Sequence, residues 1–264
     1  APGDQLLATS GSQKDFVVEA ERFGIPQARH RIFIVGIRSD IASSCDRIDG
    51  LAVAGAVSTS DAIGDLPPIR SRLSQEPDGY LEWVSARNSV RDISWDGAGA
   101  DLAEVRAAIS DVLAADQRVA STGGEFVEAQ VAPGIDASWT YDPRLGGVCN
   151  HAARSHRRDD IHRYLFCSAF AQVRGRSPQL NDFPAELLPA HGNVARAIES
   201  EGLFSDRFRV QLRDAPSSTV TCHISKDGHY FIHYDPLQCR SLTVREAARL
   251  QTFPDNYFFE GART

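Results

Sequence analysis

The sequence predicts an α/β chain in two parts: the edge of a sheet over residues 1–50, and a mixed α+β region that fills most of the rest. Three observations predict it. Arg31–Ile37 is a continuous apolar run with the content of a buried strand. Apolar residues recur at helical spacing in 101–120 and after Asp159-Asp160. Between 204 and 233, apolar residues alternate with basic and polar ones as in half-buried strands.

In chain order, residues 1–15 read as a loop and Phe16–Ala20 as a short strand. Gly24-Ile25-Pro26 turns the chain, with Pro26 holding Ile25 extended. The run Arg31–Ile37 then returns antiparallel to the first strand, about nine residues on. Residues 39–60 are mixed and loop-like. Ser60–Pro68 predicts a short capped helix ended by two prolines. No period emerges over 70–100. Residues 101–120 predict a helix with Leu102, Val105, Ala108, Ile109 and Leu113 on one face. A second helix begins at Asp159-Asp160 and carries Ile161, Tyr164, Leu165, Cys167, Ser168 and Phe170 on its apolar side. Phe204–Arg213 predicts a strand with a basic outer face. Thr219–His223 and Tyr230–His233 predict a hairpin turned at Asp227-Gly228. Thr243 and Glu246 form a capping box, so an amphipathic helix is expected to start there and stop at Pro254.

The chain has 264 residues and a formal net charge of −7, which argues mildly against nucleic acid as a partner. The local distribution differs. Lysine occurs only at 14 and 226, so nearly all positive charge is arginine, the side chain suited to bidentate contacts with guanine and phosphate. Residues 151–176 hold Arg154, Arg157, Arg158, Arg163, Arg174 and Arg176 against Asp159 and Asp160. A solvated helix face and a DNA-backbone contact surface both fit that pattern. His151, His156 and His162 in this window lack metal-ligand spacing, so no metal is expected. The five cysteines (45, 149, 167, 222, 239) form no CxxC pair and read as reduced thiols of a cytoplasmic protein. No apolar run reaches membrane length and no signal peptide is seen, so no membrane partner is expected. The chain has no methionine and no initiator, as expected of a fragment.

Two stretches carry a family resemblance. Arg240–Asp255, RSLTVREAARLQTFPD, looks like the ninth sequence block of the DNA (cytosine-5) methyltransferases. Phe23–Phe33, FGIPQARHRIF, resembles the eighth, and Ser60–Pro68 recurs in the family just after it. By themselves, two arginines spaced by two would either sit in solvent or grip an anion. The resemblance implies that Gln27, Arg29 and Arg31 line an active-site cleft, with Arg31 near a flipped cytosine and the other two assisting with phosphate and local geometry. It further implies that Thr221 contacts a DNA phosphate, although a β-forming threonine in a strand would need no such role. Arg154, Arg157, Arg158, Arg207 and Arg209 are the candidate DNA-backbone contacts, and Arg240, Thr243 and Glu246 the structural residues of the ninth block.

Under this resemblance the N-terminal part is the edge of a Rossmann-like methyltransferase sheet. Residues 51–239 are a mixed α+β target-recognition domain with its connections, and 240–264 the helix joining the two. The substrate is double-stranded DNA in a bacterial, nucleoid-associated enzyme. The alternatives are a non-catalytic DNA-binding module and a tRNA-directed relative. Methylation at C5 needs a cysteine thiolate, a glutamate at N3, S-adenosylmethionine, and a base taken from the stack. The family keeps the first two in Pro-Cys and Glu-Asn-Val, and neither string occurs here, nor does a Gly-rich cofactor turn. The chain therefore reads as the C-terminal portion of such an enzyme. Nucleophile and S-adenosylmethionine site would lie in an N-terminal half, on the same or a separate polypeptide.

Overall fold

The computed structural model describes residues 17–38, 40, 51–95, 102–115, 119–132, 134–190, 207–226 and 228–261. The expected loop at 1–15, Phe16, Lys14, Cys45, residues 204–206 and Asp227 lie outside the described residues.

Strand β1 (Val18–Glu19) runs into a 3-10 turn, Ala20–Phe23, closed by Gly24 in the left-handed region at φ 77°. Strands β2 (Gln27–Ala28) and β3 (His30–Arg31) follow. β3 pairs antiparallel with β1, Val18 opposite Arg31, as the spacing predicts. The expected buried strand does not continue. Ile32, Phe33, Ile34 and Val35 belong to no strand and are 62, 68, 93 and 72 % exposed, because no described strand or helix packs over them. Helix α1 (Thr59–Ile63) is capped two residues before the expected Ser60: Ser58 and Asp61 form the box, with Asp61 N–H donating to Ser58 Oγ at 3.1 Å.

Strand β4 (Arg72–Leu73) precedes helix α2 (Tyr80–Asn88), which the sequence did not predict. Its buried positions are Trp83, Ala86 and Arg87, too few apolar residues to show a period. Trp83 is anchored by donating Nε1–H to Ser71 Oγ at 2.8 Å. Helix α3 (Ala103–Ala114) buries Val105, Ile109 and Leu113, the predicted face. Strand β5 (Gly123–Glu128), the short helix α4 (Ala137–Thr140) and strand β6 (Gly147–Ala152) come next, with β5 and β6 antiparallel. Strand β7 (Ser155–His156) pairs parallel with β4.

Helix α5 (Arg158–Arg174) starts one residue before the predicted aspartates, which sit in its first turn, and ends at Gly175, φ 68°. Its whole stretch from Ile161 to Ala171 is buried, so it is a central helix rather than an amphipathic one. Around it packs the larger core: Trp83 of α2, Val105 and Ile109 of α3, and Phe183, Phe208, Val210 and Ile232. Each fully buried aliphatic or aromatic side chain of this kind contributes about 1.5–3 kcal/mol.

The predicted strands after residue 204 are corrected. Phe208 and Val210 are buried as the alternation requires, but Gln211 is buried too, and only Val210 makes a bridge, parallel to Ile232. Strand β8 is Ser217–Ser218, parallel to β2; among the described residues Thr219–His223 and Tyr230–His233 do not pair as strands, and Asp227 of the expected turn lies outside them. Cys222–Ser225 is a 3-10 turn, because after Val220 the backbone bonds to itself: Ile224 N–H to Thr221 O and Lys226 N–H to His223 O. Helix α6 (Val244–Leu250) closes the second core with Ala62, Ile63, Leu66, Val131, Val148 and Phe231.

Candidate DNA-binding and catalytic-cleft site

The capping box at α6 is as predicted. Glu246 N–H donates to Thr243 Oγ1 at 3.2 Å, and Thr243 N–H donates to Glu246 Oε2 at 2.7 Å. The helix is not amphipathic, however; Arg245 through Leu250 are all buried. Three arginines make this possible by giving their N–H groups to protein oxygens. Arg240 forms a bidentate pair with Glu246, at 2.7 and 2.6 Å, and also reaches Ile69 O and Gln238 Oε1. Arg245 donates to the carbonyls of Cys149, Pro254 and Tyr257. Arg249 grips Asp255 at 2.9 and 2.8 Å and pairs with Asp65. Burial works against the charged Glu246, yet Arg240 beside it holds its carboxyl well below the usual range. Burial, with Arg240 nearby, pushes the His233 imidazole down to about 4.

Gln27 sits at the junction of the two resembling stretches. It is buried, donates Nε2–H to Leu250 O at 3.1 Å, and accepts from Val220 N–H at 2.9 Å. With β2 paired to β8, this one amide joins the eighth-block segment, the end of α6 and the approach to Thr221. Arg29 and Arg31 are exposed and do not line the groove described next; Arg31 donates to the His30 carbonyl at 2.6 Å.

A groove of about 950 Å³ lies over β6, β7 and α6. Its walls include Arg72, Arg154, Arg157, Thr221, Lys226 and Gln251. Thus three of the predicted DNA contacts, Arg154, Arg157 and Thr221, meet in one concavity together with the capping Thr243, and Thr221 is exposed. Arg157 is exposed and pairs with Asp159 at 3.2 Å, while Arg158 is held bidentate by Glu76, outside the groove. Arg207 and Arg209 are half-buried and do not line it. Sequence reasoning gave no site role to His156 and His229, which line the groove, or to Tyr164, which is buried against them. Tyr164 OH and His229 Nδ1 share a 2.9 Å hydrogen bond, and His156 packs edge-on to Tyr164. Burial, then the neighbouring His229, push the His156 imidazole down to about 3.

The described thiols do not form a nucleophilic site. Burial raises the Cys167 thiol, and pushes Cys239 up to about 12. Cys222 is exposed at the groove, with no proline before it. No described strand runs through a Gly-rich turn into a helix, so these residues do not fit a dinucleotide-type cofactor cradle. Among the described residues no group of three or more His, Cys, Asp or Glu is placed to hold a metal, and no helix is long and apolar enough to cross a membrane.

The family model for C-5 cytosine-specific DNA methylase matches residues 14–264. The chain belongs to that family. It is 32 % identical over 98 % of its length to the type II methyltransferase M.Bpa9945I of Bacillus paralicheniformis, covering 47 % of that protein. It is 27 % identical over 93 % of its length to M.AgeI of Thalassovita gelatinovora, covering 59 %. It is 24 % identical over 94 % to M.DdeI of Desulfomicrobium norvegicum, covering 46 %. The chain spans about half the length of these curated relatives.

Proposed function

We propose that this chain is the C-terminal portion of a DNA (cytosine-5) methyltransferase. It supplies DNA binding, target readout and the arginine side of the catalytic cleft. The observation that carries this is the Gln27 amide, which bonds Leu250 and Val220 at once and so fastens the eighth-block strand to the ninth-block helix. In the proposed enzyme, Arg31 approaches the extruded cytosine and Thr221 a backbone phosphate, and residues 51–239 are the recognition region. A guanidinium suits cytosine O2, where negative charge grows as C6 is attacked. The nucleophile, the N3 glutamate and the S-adenosylmethionine site belong to an N-terminal half, whose sheet covers the exposed apolar run Ile32–Val35.

The test is methyl transfer from S-adenosylmethionine to duplex DNA. The chain alone is expected to transfer nothing, and activity to appear when the N-terminal half is supplied; transfer by the isolated chain would sink the assignment. In the complete enzyme, Arg31→Ala lowers turnover by far more than DNA affinity. Equal losses in both would move Arg31 onto the phosphates. Competition of duplex DNA against tRNA separates the DNA enzyme from a tRNA-directed relative, with duplex expected to win.

A further inference from the structure

Arg154 lines the groove, but its guanidinium is engaged by the chain itself. Nη1 donates to Ile224 O at 2.5 Å and Nη2 to Ser225 O at 2.8 Å. Those carbonyls are the open C-terminal end of the 3-10 turn Cys222–Ser225, where a cation is favoured and orphan acceptors need donors. Within the turn, Ser225 Oγ–H donates to Cys222 O at 2.8 Å. Both limbs are fixed as well. The entering limb is held by Gln27 at Val220. The returning limb passes Gly228 at φ 73°, where a Cβ would stand 2.7 Å from Ser241 Cβ and 3.5 Å from Arg154 Nη1. It is then tied at His229 by Tyr164. What this anchored turn presents outward is Thr221, His223, Ser225 and Lys226, all exposed. Lys226 is the one lysine among the described residues and lines the groove.

We infer that the turn Thr221–Lys226 is a preformed ledge against which duplex DNA is read, and that Arg154 is its positioning residue rather than a phosphate contact. The inference rests on the function proposed above. A guanidinium fork already occupied by two carbonyls is not open to grip a phosphate in the bidentate manner. Holding the turn before DNA arrives removes an ordering cost from the binding step. That benefit falls on the duplex whose edges match the ledge, so discrimination depends on it more than general affinity does.

The experiment uses the complete enzyme and three variants, Arg154→Ala, Arg154→Lys and Lys226→Ala, with the methylated duplex and a single-mismatch duplex as probes. Affinity is measured across salt concentrations, alongside amide exchange at Ile224 and Lys226. Lys226→Ala is expected to lower the salt slope by about 1 and to weaken both duplexes alike. Arg154→Ala is expected to leave the slope unchanged, cut the matched-to-mismatched ratio about tenfold, a typical single-position effect, and speed exchange at both amides. Arg154→Lys, with one donor group in place of a fork, falls between. A slope lowered by about 1 in Arg154→Ala, with discrimination and exchange intact, overturns the proposal in favour of a phosphate contact. Unchanged slope, discrimination and exchange overturn it in favour of a solvated arginine. A wild-type enzyme that binds no duplex overturns the proposed function itself, a result separate from either of these.

Discussion

Arg240 and Arg249 lie in a segment where arginine is folded inside, each no more than about 1 % exposed. Arg29, Arg31, Arg157 and Arg213 stand in solvent. The side chain is the same and the difference is the supply of oxygens. Around α6, Glu246, Asp255, Asp65 and a ring of carbonyls take up nearly every guanidinium N–H, which makes burial of the charge tolerable. The outer arginines meet fewer oxygens: Arg157 pairs with Asp159, Arg31 with the His30 carbonyl, and Arg213 with Asp214 while lying over the Tyr234 ring. In an arginine-rich chain, count of positive charge therefore says little about which face is open to an anion. The partners do.

The contrast can be broken from the inside first. Arg240→Ala leaves Glu246 buried without its main partner and is expected to cost about 3–5 kcal/mol of stability, read from denaturant midpoints. Replacing Arg240 and Glu246 together by apolar residues of similar volume should cost less than the single change. A single variant as stable as wild type would mean the pair holds nothing together.

Acid tests the same interior. His156 and His233 have depressed folded values, about 3 and about 4, against an ordinary 6.5. Below 6.5 the unfolded chain takes protons that the folded chain refuses, so stability present above that pH is lost as pH falls toward about 4. Glu246, depressed below its ordinary 4.5, adds to the loss at lower pH in the same direction. Denaturant midpoints are expected to drop steadily from pH 7.5 to 4.5, and His156→Asn to flatten part of that slope. A flat profile would mean these imidazoles are solvated.

A smaller effect belongs to the cap between the two regions. Thr243→Ala removes the acceptor for Glu246 N–H and should cost about 1 kcal/mol. The smallest change in stability is expected outside: Arg158→Ala breaks a half-exposed pair with Glu76 and should shift the midpoint by less than about 1 kcal/mol. A stability loss there equal to that of Arg240→Ala would erase the distinction between the two sets.

The legible parts of the molecule were those specified by neighbours in sequence. Thr243 and Glu246 are three residues apart, so their box could be read directly; so could the face Val105, Ile109, Leu113 and the helix following Asp159-Asp160. The antiparallel pair Val18–Arg31 followed from its nine-residue connection. What depends on distant partners was not legible. The run Ile32–Val35 has the composition of a buried strand, but no described element covers it. Helix α2 buries an arginine among few apolar residues and so carries no period. Thr219–His223 has strand-forming residues, yet Thr221 O accepts from Ile224 N–H and the next carbonyls, of Ile224 and Ser225, take Arg154 some 70 residues away, so the chain closes into a turn instead. The same separation hides the site: nothing in the string says that Arg154 faces the protein, or that Gln27 reaches Leu250 across 223 positions.

The fastening of Val220, the Ile224 and Ser225 carbonyls and His229 has a consequence for how such a surface can vary. With Val220, the Ile224 and Ser225 carbonyls and His229 all tied to separate parts of the scaffold, an added or deleted residue would tear at least one tie. Exchange of an outward side chain at 222, 223 or 226 disturbs none of the ties at Val220, the two carbonyls or His229. New preferences at this spot are thus reached by swapping letters at constant length, a route open to single point mutations.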